Sequence, residues 1–139
     1  MVTLILGKKG SGKTKRLIDM CNAAMAASKG NVVFIEKDST LTYDLSHKAR
    51  LAVADSYDIQ GFDSFYGFIA GMCAGNYDIT DVFVDSTLKI GGRDMEALLS
   101  FVKKLQVLSE KANTNLVLSV SADKSEICLL YTSDAADEL

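Results

Sequence analysis

The chain alternates short, uninterrupted apolar runs with longer segments whose apolar residues recur every three or four positions. Val2–Leu6, Asn31–Ile35, Thr80–Val84 and Leu116–Val120 are the runs, and each reads as a strand buried on both faces. Between them, residues 13–28 predict a first helix, ended by Gly30-Asn31. Phe62–Ala74 predicts a second, with Phe62, Phe65, Tyr66, Ile69, Met72 and Cys73 on one face. A third is expected from Arg93 to Ala112 along the stripe Met95, Leu98, Leu99, Val102, Leu105 and Leu108. Arg50–Ala54 reads as a short edge strand, and residues 37–48 and the Gly91-Gly92 stretch as loops. Strands alternating with helices predict an α/β fold: three layers, with a mostly parallel central sheet covered by helices.

Gly67, Gly71 and Gly75 recur every four residues along the second helix, so a neighbour can approach that side closely. A packed core helix is the first reading of Phe62–Ala74, and a face for a protein partner the second.

Composition adds limits. A length of 139 residues fits one domain, and 48% hydrophobic with 24% charged residues is globular rather than disordered. No apolar run approaches the ~20 residues of a membrane span, so no membrane partner is expected. The N-terminus carries no basic stretch before its apolar residues, and three cysteines lack paired spacing. Reduced thiols in a cytoplasmic protein follow, with Cys21 and Cys73 as small core residues.

The C-terminal segment Cys128–Glu138 resembles the translation of a transposase adapter from a sequencing library. Residues 128–139 are therefore expected to be a non-native tail on a metagenomic fragment, and residues 1–127 an incomplete native domain. The tail holds Asp134, Asp137 and Glu138 and no Lys or Arg, so the formal charge of −3 becomes zero without it. Neither sign then points to a partner, and there is no strong nucleic-acid signal.

The chemistry is concentrated after the first strand. Gly7-Lys8-Lys9-Gly10-Ser11-Gly12-Lys13-Thr14 fits G-x-x-x-x-G-K-[ST] between a predicted strand and a predicted helix. At average Gly and Lys usage, a chance match in such a chain is roughly 1% or less. The glycines let backbone N–H groups curl around an anion, and the helix directs its positive dipole end at the same point. Lys13 suits the β- and γ-phosphates of a nucleoside triphosphate, and the Thr14 hydroxyl suits Mg²⁺. Asp85, ending the run Asp81-Val82-Phe83-Val84, is the expected acidic partner of that metal.

These two segments resemble the Walker A and Walker B motifs of P-loop NTPases. Residues 1–127 are similar to a small, little-characterised group of bacterial ATP-binding P-loop proteins. The order of elements is similar to the RecA-like and thymidine-kinase-like branch. That resemblance implies a parallel sheet in which one strand separates the Walker A and Walker B strands. No N-K-x-D guanine signature occurs, which favours Mg-ATP over GTP.

Hydrolysis needs a carboxylate that orients or deprotonates water. Many P-loop ATPases place Glu directly after the Walker B Asp, but Ser86 stands there. The RecA-like arrangement implies an acid at the end of the second strand, where Glu36 is the first candidate and Asp38 the second. Ser121 and Asp123 after the last strand, and Lys89 and Arg93 after Asp85, are polar residues with a solvated face as their default. His47, the single histidine, has no Cys or carboxylate at metal-ligand spacing.

Three functions remain open on the sequence: a small ATPase or ATP-dependent switch, a kinase for a small acceptor, and a non-hydrolysing, nucleotide-regulated interaction module. The first is favoured, because Glu36 fits the water-activating position and no lid with clustered arginines is visible.

Overall fold

A computed structural model of the chain describes residues 1–38, 45, 46 and 48–127. The His47 and adapter-tail expectations lie outside the described residues, as does most of the 37–48 loop. Among the described residues five strands form one sheet: β1 (Val2–Leu6), β2 (Asn31–Glu36), β3 (Arg50–Val53), β4 (Ile79–Val84) and β5 (Asn115–Val120). Their spatial order is β1-β5-β4-β2-β3, and every pair is parallel. The fold class is thus α/β, as the alternating pattern predicts, and β5 does separate β1 from β4.

Two hydrophobic layers enclose the sheet, because alternate residues of each strand point to opposite faces. On one face, Ile5, Val32, Phe34, Phe83 and Val117 meet Leu17, Ile18 and Cys21 of α1 (Lys13–Ala27). On the other, Val33, Ile35, Val82, Val84, Leu116 and Leu118 meet α2 (Phe62–Gly75) and α4 (Met95–Ala112). Phe65 of α2 stacks on Phe101 of α4 with ring centroids 5.2 Å apart. Burial of one such side chain contributes about 1.5–3 kcal/mol. Among the described residues no helix is long and apolar enough to cross a membrane.

Two local outcomes differ from the sequence reading. Thr87–Gly91, expected within a loop, is a short helix, α3. Tertiary contacts hold it: the Gly61 N–H donates to Ile90 O at 2.9 Å, and Gly91 abuts the Phe62 ring so closely that a Cβ would overlap it. The following helix accordingly starts later, at Met95, where the Asp94 carboxylate caps the N–H groups of Glu96 and Ala97. The second outcome concerns Gly67, Gly71 and Gly75: no atom lies within 4 Å of where their Cβ atoms would stand. Helix α2 packs through Phe65, Ile69 and Cys73 instead, and leaves its glycine side open.

Candidate functional site

The segment between β1 and α1 is shaped by glycine. Gly10 and Gly12 adopt φ of 85° and 87°, the left-handed region that other residues enter at a cost. The Ser11 N–H donates to Lys8 O at 3.1 Å and closes the turn, with Gly7 packed against the Ser11 side chain. Helix α1 then begins with no side-chain cap and no acid in its first turn. Its leading N–H groups are left for an external acceptor, and the positive end of the helix dipole coincides with them. Lys13 Nζ lies over this loop and donates to Lys8 O at 2.9 Å.

Across from the loop, β4 delivers Asp85 at its carboxyl end, only 4% exposed. Its carboxylate accepts from Thr14 Oγ1 at 3.2 Å and from Ser119 Oγ at 2.9 Å. The same Ser119 oxygen accepts the Ser86 N–H at 2.9 Å. Ser86 sits at φ 58°, ψ 48°, a left-handed residue that turns the chain abruptly from β4 into α3. Sequence reasoning missed Ser119. Its signal was a single hydroxyl inside the apolar run Leu116–Val120, on the strand adjoining β4.

These groups open onto a cleft of about 700 Å³. Lys8, Lys9, Gly10, Gly12, Lys13 and Thr14 form one wall, while Asp85, Ser86, Lys89 and Arg93 form another. Ser119, Ser121, Asp123 and Glu126 close the end near β5. Lys89, Arg93, Ser121 and Asp123, four residues whose default was solvation, thus meet the glycine-rich loop. Among the described residues neither Lys89 nor Arg93 has an ion pair. Gly7 and Ser11 shape the loop without lining the cleft.

Glu36 and Asp38 stand differently. Glu36 ends β2, and the Asp85 N–H donates to Ile35 O at 2.9 Å, so Glu36 and Asp85 lie side by side at neighbouring strand ends. Strand alternation puts both on the α1 side of the sheet. Glu36 is 2% exposed and forms no part of the cleft wall. Asp38 lies exposed beyond the strand and is likewise absent from the wall.

No family model matches the chain, and no curated protein matches it. Among solved structures, it is similar to the pCW3 conjugation coupling protein TcpA, in its monomer form with ATPγS. That likeness has 14% sequence identity and a TM-score of 0.49 over 91% of this chain. The chain spans 44% of the length of that protein.

Proposed function

We propose that the chain binds a nucleoside triphosphate with Mg²⁺, ATP in preference to GTP, and works as a small ATPase or ATP-dependent switch. The observation that carries this reading is the contact between Thr14 Oγ1 and Asp85 Oδ1 at the start of an uncapped helix. A hydroxyl and a carboxylate are hard oxygen donors. They suit a cation that keeps several waters and takes its remaining ligands from phosphate. No group of three or more His, Cys, Asp or Glu side chains at metal-binding spacing exists among the described residues. A site completed by phosphate oxygens does not need one. When bound, Mg²⁺ neutralises charge on the β- and γ-phosphate oxygens.

The chain's own residues supply the rest. The N–H groups of Gly10, Gly12, Lys13 and Thr14 and the Lys13 ammonium hold the phosphates, with Lys13 exchanging the Lys8 carbonyl for a phosphate oxygen. Lys89 and Arg93 add positive charge on the facing wall. Glu36, outside the cleft wall but beside Asp85 at the neighbouring strand end, is the first candidate to take a proton from the attacking water as the bond from the γ-phosphorus to the bridging oxygen breaks. Asp38, also outside the wall, is the second.

Equilibrium binding of ATP and phosphate release test this reading in wild type, Lys13→Ala and Glu36→Gln. The expected result is binding lost in Lys13→Ala, and binding kept with release lost in Glu36→Gln. Failure of wild type to bind ATP with Mg²⁺ overturns the reading. Release untouched by Glu36→Gln removes Glu36 from the water-activating role, while tight binding without release favours the non-hydrolysing module. A kinase gains one observation, the two cations Lys89 and Arg93 beside the loop, and transfer of ³²P to a small acceptor identifies it.

A further inference from the structure

The open glycine side of α2 borders a second concavity, remote from the cleft. It is a groove of about 540 Å³ between α2 and the β2–β3 edge of the sheet. Phe68, Met72 and Tyr57 give it an apolar lining, and bare backbone at Gly71 and Gly75 keeps it open. Lys48 and Arg50 stand at its side, and among the described residues no acid lines it. Among the described residues neither cation has an ion pair.

A side chain of matching chemistry projects beside this groove. Tyr77 is 93% exposed, the most exposed large hydrophobic residue among those described, and Asp78 follows it with an exposed carboxylate. Their turn connects α2 to β4 and is held firmly. The Asp78 N–H donates to Asn76 Oδ1 at 2.9 Å, and Asp78 O accepts from Asn31 N–H at 2.7 Å. Gly30 packs against that same carbonyl. Tyr77 is thus presented from a pre-ordered turn, which lowers the entropy lost on docking.

We propose that this face pairs with a second copy of the chain about a two-fold axis. Tyr77 of each copy enters the other's groove, and Asp78 meets Lys48 and Arg50. Donor and acceptor lie on one patch, since Asn76 lines the groove and Tyr77 follows it. A two-fold satisfies both halves at once, whereas separated patches would build a ring or a filament. Tyrosine in a desolvated pocket is a frequent interface anchor, and the acid is opposite in charge to Lys48 and Arg50.

Sedimentation equilibrium of the full chain from about 1 μM to about 1 mM spans the range of weak specific dimers. The expected result is a concentration-dependent dimer, weakened at least tenfold by Tyr77→Ser, Arg50→Glu or Asp78→Lys. Arg50→Glu combined with Asp78→Lys should restore it, because the ion pair is then reversed rather than broken. Circular dichroism melting of each variant separates lost pairing from lost folding. A chain monomeric throughout that range overturns the proposal and leaves the groove to another partner or a small acidic ligand. A dimer indifferent to Tyr77→Ser and to both charge changes overturns it equally.

Discussion

Thr14 and Asp85, 71 positions apart in sequence, meet where Thr14 Oγ1 lies 3.2 Å from one carboxylate oxygen and 3.3 Å from the other. The first turn of α1 and the end of β4 are thereby joined at the wall of the cleft. Thr14→Val and Asp85→Asn should each weaken nucleotide binding in Mg²⁺ by about 1.5–3 kcal/mol, roughly ten- to a hundredfold. With EDTA present the variants and wild type should bind alike. Calorimetry with and without EDTA checks this, and an equal loss in both conditions would refute a metal-linked role for the pair.

Ser119 is 1% exposed and serves two neighbours, donating to Asp85 and accepting from the Ser86 N–H. Ser119→Ala leaves that N–H without its acceptor and the carboxylate with Thr14 Oγ1 as its remaining side-chain donor among the described residues. The expected cost is about 1–3 kcal/mol, a fall in melting temperature of roughly 4–10 °C. Differential scanning calorimetry checks it, and an unchanged midpoint would show that water replaces the hydroxyl.

Glycines on α2 and α3 should respond in opposite senses to the same substitution. Gly67→Ala fills open space in a helix and should stabilise the chain by roughly 0.5–1 kcal/mol. Gly91→Ala drives a methyl group into the Phe62 ring and should destabilise by about 1–3 kcal/mol. Urea titration of the two variants reads both signs in one experiment.

Cys21 is fully buried, and burial, with a smaller effect from Asp81, pushes its thiol up from 9.0 to about 12. The folded chain therefore holds this proton more tightly than the unfolded chain. The associated stability is fully present below pH 9 and is lost as pH rises from 9 towards 12. Cys73 shifts in the same direction through burial, opposed by its hydrogen bond with Thr114. Native protein at pH 8 should thus leave Cys21 unmodified by a thiol reagent, with reaction appearing on denaturation. Rapid native labelling at Cys21, mapped by mass spectrometry, would contradict its burial.

Much of this was legible locally. The β1–loop–α1 unit was readable because every cue for it is contiguous: apolar run, glycines, Lys13, then a helical stripe. The ends of β4 and β2 were readable for the same reason, as acids that close apolar runs. Ser119 was not, because its role depends on β5 lying next to β4, a neighbour that no local pattern announces. Helix α3 escaped because Thr87–Gly91 owes its helical form to Phe62 and Gly61 rather than to its own propensity. The burial of Glu36 was equally hidden: a strand-end acid looks the same in sequence whether it faces solvent or a packed layer.

The strand order also governs when the site can come into being. The loop hangs from β1, and the ladder partner of β1 is β5, with Val2 against Leu116 and Leu6 against Val120. During synthesis the first strand made must therefore wait for the last of the five before its sheet closes. Until then the glycine-rich loop and Asp85 have no common scaffold, and the apolar face of β1 is a hazard for the nascent chain. Synthesis stopped before residue 115 would release a chain that carries the whole loop motif and no cleft.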